Sequence, residues 1–560
     1  MLAFTLGALH TWAAVANYSM NADGISYLDI GDAYWRGDWQ NAINPVWSPM
    51  YSWILGMVMR LFKPAMRWEF PLVQVVNFVI YLIAFASFAF FWRQVWNYQQ
   101  ARLANEKGQA FISLPGWAFQ ASGYLLFIWT SLTLIEIWSV TPDMLMAAIV
   151  YLAVALILRM RMKAQGWSVY ALLGVCLGLG YLSKTVMLPV AALFLGAGLL
   201  STGEMRRAIP RVALSAAILA VIAGPFIFLI SRQKSYFTYG ESGRITYMRY
   251  INGIPYPHWQ GEPTGHGTPL HPSRVIFANP PIYEFATPIA GTYPISYDPS
   301  YWYEGVQLRY RLNEILPAVL SNTLLYFDLF FRQLGPVTAG ILILYLFGFQ
   351  RSMLIFQKLG SWSLAAIAIL AFIMYALVYV EGRYIAVFVV LLWGDLLANL
   401  SLPYTQTNQR LMAVSSLVMI LYLVGSLVAY NLEGLNVLVT KPGEQTTGQG
   451  APSPGWPGEV AEELLRLGIQ PGEQVGVIGY AFDSYWARLA RLKIVAEMFG
   501  WEADPFYLGD LSFQAEVIQA FANAGASAIV AEHVPAYADL EGWRQVGATN
   551  YYIYQSSLAK

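Results

Sequence analysis

The sequence predicts a polytopic α-helical membrane protein that carries a small α/β domain at its C-terminal end. Of the 560 residues, 57% are hydrophobic and only 12% are charged, whereas soluble domains carry about 25% charged residues. Apolar runs recur along residues 1–430 with lengths that approach those of transmembrane helices. After residue 457 the pattern changes to short strand-like runs that alternate with amphipathic helical ones, as in a soluble α/β domain.

The apolar runs predict about 11 transmembrane helices. They lie at 1–19, 70–92, 115–138, 143–160, 167–183, 186–201, 209–230, 335–350, 361–380, 384–400 and 411–430. The pair at 167–183 and 186–201 is short, so a re-entrant hairpin is an alternative there. A cleaved signal peptide is an alternative for 1–19, although this run lacks a basic n-region. The apolar stretch Tyr51–Phe62 is too short to cross and predicts an interfacial helix.

The distribution of Lys and Arg predicts the orientation in the membrane. Short loops on one side carry twelve of these residues: Arg93, Arg102, Lys107, Arg159, Arg161, Lys163, Arg206, Arg207, Arg211, Arg351, Lys358 and Arg410. Short basic loops face the cytoplasm. The long loops 20–69 and 231–333 and the C-terminus are therefore expected outside. We expect an integral protein of the plasma (inner) membrane whose active face is extracytoplasmic.

The composition divides the chain into three parts. Residues 1–430 form the transmembrane region, 431–457 a linker that is rich in Gly, Pro, Thr and Gln after residue 441, and 458–560 a soluble extracytoplasmic α/β domain. In the last part, strands are predicted at 475–479, 493–497, 528–531 and 551–554, and helices at 459–467, 483–490 and 513–524. Alternating strands and helices favour a parallel sheet. We interpret this domain as an outer lid or acceptor-docking module.

Several classes of function are excluded or disfavoured. The formal net charge is zero, which indicates no nucleic-acid partner, and a single cysteine, Cys176, permits neither an internal disulfide nor a cysteine metal cluster. His258, His266 and His271 lack the spacing of a zinc site. Phosphate-binding Walker loops, HExxH and GxSxG motifs do not occur in the sequence.

The residues with chemical potential gather on the predicted outer face. Asp23 follows the first span by a few residues, where a carboxylate is costly to desolvate and tends to mark a site. The other acids of this loop are interpreted as solvated: Asp29, Asp32 and Asp38. Asp143 opens the fourth span, where its charge also suits the helix dipole, and Lys184 between two apolar runs is equally explained by snorkelling. Arg383 at a membrane–water edge suits a phosphate.

Four segments in this order resemble the GT-C membrane glycosyltransferases. They are Asp23 with Tyr27, Pro142-Asp143, Gly178–Lys184, and Glu381-Gly382-Arg383-Tyr384. The closest resemblance is to the family-39-like group, which includes protein O-mannosyltransferases and the lipid A aminoarabinose transferase. Several relatives carry Asp-Glu in the first loop, whereas this chain has Asp23-Gly24. The resemblance covers the membrane region to about residue 400.

This resemblance implies an inverting glycosyltransferase that uses a polyprenyl-phosphate sugar as donor. Asp23 is then the catalytic base that deprotonates the acceptor. Donor and phosphate contacts are expected from Lys184, Arg383, Tyr384, Tyr27 and Glu381. No cofactor is required, although a divalent metal is possible through Asp143. The expected partners are the lipid-linked donor, an unknown acceptor (protein, lipid or glycan) and membrane lipids.

Two other functions fit parts of the sequence. A transporter or flippase for lipid-linked sugars would carry related halves with interrupted helices at the midplane, and no such repeat is visible. A non-catalytic assembly subunit would use the C-terminal domain as its working part. It would leave the outer-face Asp, Lys and Arg residues without a common purpose.

Overall fold

The computed structural model describes residues 1–18, 20–105, 111–162, 166–201, 204–261, 266–285, 290–347, 363–440, 456–538 and 540–555. Most of them are helical. The helices are α1 (Leu2–Asn17), α2 (Ala22–Arg36), α3 (Trp39–Ala42), α4 (Pro49–Phe62), α5 (Met66–Asn105), α6 (Gly116–Trp129), α7 (Asp143–Met162), α8 (Trp167–Ser183), α9 (Met187–Leu200), α10 (Met205–Lys234), α11 (Ser242–Tyr250), α12 (Pro294–Tyr297), α13 (Pro299–Trp302), α14 (Leu312–Phe327), α15 (Gly335–Phe347), α16 (Ser363–Ala376), α17 (Gly382–Asn399), α18 (Gln406–Thr440), α19 (Pro457–Arg466), α20 (Tyr485–Leu489), α21 (Asp504–Leu508) and α22 (Leu511–Asn523). Two π-helical turns, Thr130–Leu134 and Asp328–Gln333, follow α6 and α14.

Apolar helices of membrane-spanning length identify an integral membrane protein. Among the described residues, six helices are long and apolar enough to cross: α5, α7, α10, α14 with its π-helical turn, α17 and α18. The apolar helices α8, α9, α15 and α16 are shorter. Helices lie at each of the predicted spans, while the number of eleven crossings stays a prediction.

Helix α7 lies in the middle of the bundle. It is apolar on all sides, and 89% of its most apolar 18-residue stretch is buried. Such burial is expected for a helix that is surrounded by other helices. Aromatic rings of the neighbouring helices pack beside it, with the centroids of Phe88 and Phe127 4.7 Å apart and Tyr151 of α7 5.5 Å from Phe88. This packing fixes α7, so its first residue, Asp143, has a defined position at one end of the bundle.

The second outer loop is shorter than the predicted 231–333, and that prediction was wrong at both ends. Residues 231–234 complete α10, and residues 312–333 form α14 and its π-helical turn. The hydropathy pattern suggested a loop at 312–333 because Asn, Glu, Pro and Asp residues interrupt the apolar run there. They lower its hydropathy without preventing a helix that is apolar enough to cross.

Helices α14 and α15 run in the same direction along the α16–α17 pair. Asn322 of α14 donates to the carbonyl of Ala376 at 3.0 Å, near the end of α16. Further along, the Tyr345 hydroxyl of α15 donates to the carbonyl of Leu396 at 2.8 Å, near the end of α17. The two helices thus extend the predicted span at 335–350 upstream; its residues 348–350 lie outside the described residues.

The first outer segment, 20–69, is mostly helical. Helix α4 matches the predicted interfacial helix and packs closely on α2. A Cβ atom at Gly31 would lie 2.7 Å from the Ser52 carbonyl, and one at Gly56 would lie 2.6 Å from the Gly31 carbonyl. Glycines at this crossing let the backbones meet, so α2 lies flat on α4 and presents its N-terminal turn to the bundle.

A seven-stranded mixed sheet lies on the same end of the molecule as α2. Its order is β2 (Arg274–Ala278), β3 (Pro281–Glu284), β6 (Lys493–Phe499), β5 (Gln474–Gly479), β7 (Ala528–Glu532), β9 (Tyr551–Gln555) and β8 (Arg544–Gln545). Only β6, β5 and β7 are parallel to one another; the other pairs are antiparallel. The four predicted strands all form; β5, β6 and β7 are parallel as expected, whereas β9 is antiparallel. A further pair, β1 (Phe111–Ile112) and β4 (Leu402–Pro403), is antiparallel.

Two strands of this sheet come from the second outer loop. Strand β3 pairs with β6, with Tyr283 opposite Glu497, and the amide of Phe285 donates to the carbonyl of Val495 at 2.9 Å. The C-terminal part and the loop therefore share one sheet. The division at 458 remains a prediction about domains, and most of the predicted linker, 441–455, lies outside the described residues.

A buried guanidinium joins the C-terminal part to the first outer segment. Arg488 Nη1 lies 2.6 Å from Asp29 Oδ1 and 2.7 Å from Asp32 Oδ2, and its Nε lies 3.3 Å from Glu69 Oε1. Arg491 adds contacts of 2.8 Å to Asp32 and 2.7 Å to Glu69. Asp29 and Asp32 are thus docking residues and not the solvated loop acids that the sequence suggested.

Candidate functional site

Asp23 lies in the first turn of α2, close to the N-terminus of α7. The preceding residue Asn21 accepts a hydrogen bond from the amide of Val140 at 2.9 Å through its Oδ1. This bond joins the start of α2 to the segment that leads into α7. The Asp23 side chain remains partly exposed and faces the interior of the site. Asp23 is therefore positioned by the N-terminal turn of α2 and not by the end of the first span.

Asp143 and Lys184 form an ion pair at the ends of three membrane helices. Asp143 is the first residue of α7, and Lys184 lies between α8 and α9. The Lys184 ammonium contacts Asp143 Oδ1 and lies 3.9 Å from the centre of the Tyr384 ring, a cation–π geometry. Burial lowers the pKa of Lys184, while the adjacent Asp143 carboxylate opposes this shift. The Lys184 ammonium is therefore held by Asp143 and Tyr384, unlike that of a snorkelling lysine.

Arg383 is surrounded by three carboxylates. Its Nη1 lies 3.1 Å from Asp23 Oδ2, and its Nε lies 2.8 Å from Glu381 Oε1 and 4.0 Å from Asp143 Oδ2. The loop before α17 supplies Glu381, and the first turn of α17 supplies Arg383. Five of the predicted site residues thus share one cluster, which draws on four separated parts of the chain: Asp23, Asp143, Lys184, Glu381 and Arg383.

Two cavities meet at this cluster. The first, of about 210 Å³, contains Lys184 and Asp143, and the second, of about 570 Å³, contains Glu136 and Asn21. The side chains that line both cavities are Asp23, Glu381 and Arg383. A group bound in either cavity can therefore reach the same carboxylate, Asp23.

The two predicted tyrosines line the first cavity. Tyr27 packs edge-on against Trp47 and Tyr51 with centroids 5.1 Å apart in each case. Burial, followed by the nearby charges of Asp23 and Asp143, raises the pKa of Tyr27, so its hydroxyl stays protonated. Tyr384 presents its ring face to Lys184. Both tyrosines can contribute an aromatic wall to the cavity.

The structure adds cavity residues that sequence reasoning missed. Arg249 of α11 lines the first cavity, 4.8 Å from the ring of Tyr256, and contacts no carboxylate within the described ranges. The rings of Tyr250 and Tyr379 stack with centroids 3.9 Å apart on the same wall. Nothing in the local sequence singles out Arg249, since one arginine in a long outer loop has no pattern. A surplus of tyrosines near it was the only signal.

The carboxylates of the site contact cations of the protein rather than forming a metal-binding set. In the part of the chain that the structure describes, no group of three or more His, Cys, Asp or Glu side chains could hold a metal ion. Asp143, predicted as a possible ligand, contacts Lys184 and lies near Arg383. Its Oδ2 is buried and lacks a hydrogen-bond partner among the described residues, so it remains available to a ligand.

The remaining candidates lie outside the cluster. Asp38 caps α3, accepting from the amide of Asn41 at 3.4 Å. His258 lies 2.9 Å from the buried Glu497, and His271 lies 3.1 Å from Glu304. These two loop histidines therefore contact different carboxylates.

Comparison with solved structures identifies the fold. The chain superposes on ArnT (lipid A aminoarabinose transferase) from Cupriavidus metallidurans, both in the apo state and bound to undecaprenyl phosphate. Each superposition has a TM-score of 0.51 and 13% sequence identity, and covers 98% of this chain and 96% of ArnT. A weaker likeness is found to an oligosaccharyltransferase from Archaeoglobus fulgidus in complex with Zn and sulfate. Its TM-score is 0.47 at 13% sequence identity, and it covers 95% of this chain and 68% of the oligosaccharyltransferase chain.

Sequence comparisons add no relative. No protein-family model matches the chain, and no curated protein matches it. At 13% identity the likeness to ArnT concerns the fold alone, and it extends over nearly the whole of both chains. The chain therefore has the fold of ArnT, which belongs to the group that the four sequence segments resemble.

Proposed function

We propose that this protein is an inverting membrane glycosyltransferase. It moves a sugar from a polyprenyl-phosphate donor to an acceptor on the extracytoplasmic face of the plasma membrane. One observation carries the proposal: Asp23, Asp143, Lys184, Glu381 and Arg383 converge at the junction of two cavities at one end of the membrane bundle. A base and phosphate-binding cations are what such a reaction needs at one place.

Asp23 is the catalytic base in this scheme. It takes the proton from the acceptor hydroxyl while the acceptor oxygen attacks C1 of the donor sugar. The bond between C1 and the phosphate oxygen breaks, and the electron pair leaves with the polyprenyl phosphate. A single displacement inverts C1 and needs no second carboxylate as a nucleophile. Because Asp23 lines both cavities, its carboxylate can reach an acceptor hydroxyl that is bound in either of them.

Lys184, Arg383 and Arg249 bind the donor phosphate. All three line the first cavity, and fixed cations stabilise the negative charge that grows on a leaving phosphate. Arg383 lies 3.1 Å from Asp23 before the donor binds. A phosphate competes for this guanidinium and so releases the Asp23 carboxylate to accept a proton. The base thus becomes available when the donor is present.

The other cavity residues orient the sugar. The buried Oδ2 of Asp143 accepts a hydrogen bond from a sugar hydroxyl, which satisfies an atom that lacks a partner within the described residues. Tyr27 and Tyr384 supply the aromatic wall, and Glu381 positions Arg383 at 2.8 Å. No step requires a metal ion or another cofactor.

The lipid part of the donor is inferred by analogy. ArnT, which shares this fold, has been solved bound to undecaprenyl phosphate. A polyprenyl chain lying between the membrane helices would bring its phosphate to the ends of these helices, and the clustered residues belong to such ends. The acceptor is not identified by this reasoning and is treated as a protein, lipid or glycan.

The transporter and subunit alternatives receive less support from the site. A transporter places its substrate groups near the midplane, whereas the five clustered residues lie at helix ends or next to them: Asp23, Asp143, Lys184, Glu381 and Arg383. A purely structural subunit has no need for a buried carboxylate oxygen without a partner, which costs free energy.

The test is release of polyprenyl phosphate from the intact protein. Purified full-length chain in detergent is incubated with a panel of undecaprenyl-phosphate sugars, including the hexose and aminopentose derivatives, and lipid extracts of the cell envelope as acceptors. We expect time-dependent release of undecaprenyl phosphate by the parent protein and not by Asp23→Asn. Equal release by both proteins would exclude Asp23 as the base, and no release with any donor would count against the enzyme.

A further inference from the structure

A second aromatic surface begins at the wall of the first cavity and leads away from it. Tyr256 lines the cavity, and its ring centroid lies 5.3 Å from that of Phe482. Phe482 lies 5.2 Å from Tyr480, which lies 5.8 Å from Trp501. Exposure increases along this path, from 8% for Phe482 to 37% for Tyr480 and 63% for Trp501. We call Tyr480 and Trp501 the aromatic platform.

The platform lies at the carboxyl ends of parallel strands. Tyr480 follows β5, and Trp501 follows β6. The neighbours of β5 in the sheet are β6 and β7. After β5 the chain adds β6 on one side of it and later adds β7 on the opposite side, so the strand order reverses at β5. In open α/β sheets, ligands bind outside the carboxyl ends of strands at such a point.

Two buried carboxylates fix the backbone of the loop that carries Tyr480. Glu532 Oε2 accepts from the amide of Tyr480 at 3.1 Å, and Glu497 Oε1 accepts from the amide of Ala481 at 2.8 Å. Glu532 Oε1 also accepts from Ser484 at 3.1 Å and from the Trp486 indole at 3.0 Å. Such bonds preorganise the loop before a ligand arrives, which lowers the cost of binding.

Trp501 is likewise held in place by a neighbouring ring. Its ring stacks on Phe499 with centroids 4.3 Å apart and an interplanar angle of 15°. The ring therefore has a fixed orientation, although most of its surface is exposed. Burial, followed by the charges of Asp483 and Glu497, raises the pKa of Tyr480 to about 12. The Tyr480 hydroxyl consequently stays protonated and able to donate.

We propose that the aromatic platform binds a saccharide ring of the acceptor. Tyr and Trp combine a flat apolar face with a polar edge, which matches a sugar ring with its C–H faces and hydroxyl rim. The exposed carboxylate of Asp483 next to it can accept from those hydroxyls. The acceptor is favoured over the donor because the proposed donor is anchored by its polyprenyl chain among the membrane helices, whereas the platform belongs to the sheet outside the helix bundle. This inference rests on the proposed glycosyltransferase function and specifies an acceptor that contains sugar.

Saturation-transfer NMR on the full-length protein in detergent tests the platform without requiring turnover. The probes are methyl β-D-glucopyranoside, methyl α-D-mannopyranoside, methyl β-D-galactopyranoside and N,N′-diacetylchitobiose. We expect ring protons of at least one probe to receive saturation from the parent protein. Trp501→Ala and Tyr480→Ala should each weaken that binding by about fivefold to tenfold, as expected from the loss of an aromatic contact. Tyr480→Phe should have a smaller effect because it keeps the ring.

Trp39→Ala is the matched control. Trp39 is 64% exposed, nearly the same as Trp501, but belongs to α3 and not to the sheet. The Trp39→Ala protein should bind the saccharide probes with the same affinity as the parent protein. Absence of saturation transfer to every probe from the parent overturns the proposal, and so does unchanged binding in both alanine variants.

Asp23→Asn separates this inference from the proposed function. This variant should keep saccharide binding while it loses release of undecaprenyl phosphate. If the parent releases no undecaprenyl phosphate but binds saccharides through Trp501 and Tyr480, the proposed reaction fails and the platform stands. If it releases undecaprenyl phosphate but both alanine variants bind saccharides normally, the reaction stands and the platform fails.

Discussion

Arg383 is the residue through which the charges of the site are coupled. It contacts Asp23 and Glu381 and lies within 4.0 Å of Asp143. Removing a partly buried guanidinium would leave these carboxylates without compensation, which is costly in a low-dielectric environment. Arg383→Ala therefore tests the stability of the cluster as well as phosphate binding, and residues with simpler surroundings provide sharper tests.

Asp23→Asn should lower turnover by about 10²–10⁴-fold, because the amide keeps the shape of the side chain and cannot act as a base. Donor affinity should not fall, since the proposed phosphate contacts belong to other residues, and it should rise if the Asp23 carboxylate competes with the phosphate for Arg383. The measurement is undecaprenyl phosphate release together with donor affinity in one detergent preparation. Asp38→Asn, which alters a helix cap outside the cluster, is the control. Near-normal turnover of Asp23→Asn would exclude it as the base.

Arg249→Ala should raise the KM for the donor by about tenfold, the effect of losing one charge-assisted contact. Arg249 is exposed and contacts no carboxylate among the described residues, so its removal should not change the midpoint of thermal unfolding. Lys184→Ala should weaken donor use too, but it also leaves Asp143 without its cation. Arg232→Ala, an exposed arginine at the end of α10, is the control. An unchanged donor KM for Arg249→Ala would remove it from the phosphate site.

At the scale of elements, the contact between α8 and α10 determines where Lys184 lies. Gly174 and Gly178 of α8 face α10 so closely that side chains do not fit. A Cβ atom at Gly174 would lie 2.6 Å from the Ser215 carbonyl, and one at Gly178 would lie 2.7 Å from Ile222 Cβ. Small residues at this spacing let membrane helices approach. The α8–α10 contact therefore fixes the position of the end of α8, and with it the position of Lys184, which is the next residue.

Gly174→Leu should destabilise the protein by about 1–3 kcal/mol, because overpacking forces the two helices apart. It should also reduce turnover by displacing Lys184. Thermal unfolding in detergent and undecaprenyl phosphate release measure the two effects. Gly196→Leu is the matched control, since a Cβ atom at Gly196 of α9 would meet no atom within 4 Å. If Gly174→Leu unfolds at the same temperature as the parent, the two helices do not meet as described.

The sequence predicted best what depends on local pattern. Strand β5 and the interfacial helix α4 follow from short runs with a clear period, and Asp23 and Lys184 from their positions next to apolar spans. The contribution of β2 and β3 to the sheet could not be predicted, because this pair joins the sheet through β3, whose partner β6 lies more than 200 residues later. Arg249 was missed for the same reason: only the fold brings α11 to the cavity. Long-range pairing carries no local signal.

For the whole molecule, the buried ion-pair network around Arg488 determines how the sheet is oriented over the membrane region. Arg488 is 2% exposed in its side chain and contacts Asp29, Asp32 and Glu69. The amide of Thr292, from the second outer loop, also donates to Asp29 at 2.6 Å. Three separate segments thus meet at Asp29. Since the sheet also carries the aromatic platform, this network sets the position of the platform relative to the cavity.

Arg488→Met should destabilise the docked arrangement by about 3–5 kcal/mol, because it leaves acidic groups buried without a cation. Limited proteolysis of the outer segments and thermal unfolding should both detect the change. Arg491→Met should be milder, since the Arg491 side chain is 44% exposed and solvent can replace its contacts. Equal protease resistance of parent and Arg488→Met would show that the sheet is positioned by other contacts.

The same network predicts a dependence of docking on pH. Burial alone would raise the pKa of Asp32, but the guanidinium groups of Arg488 and Arg491 outweigh burial and lower it from the ordinary 3.8. A carboxyl whose folded-state pKa is lowered stabilises the fold above its unfolded pKa, and this contribution disappears as the pH falls through the lower value. Stability from Asp32 should thus be constant from pH 7 to about 4 and decline below that range.

The measurement is the midpoint of thermal unfolding between pH 7 and pH 3, for the parent and for Asp32→Asn. The asparagine variant should unfold at a lower temperature at pH 7 and lose less stability on acidification, because it has no carboxylate to protonate at this position. Asp38→Asn is the control: Asp38 caps α3 and forms no ion pair within the described residues, so its curve should remain parallel to that of the parent. A curve for Asp32→Asn that is also parallel to the parent would mean that the charge of Asp32 does not stabilise docking. Arg488 and Arg491 would then orient the sheet through Asp29 and Glu69 alone.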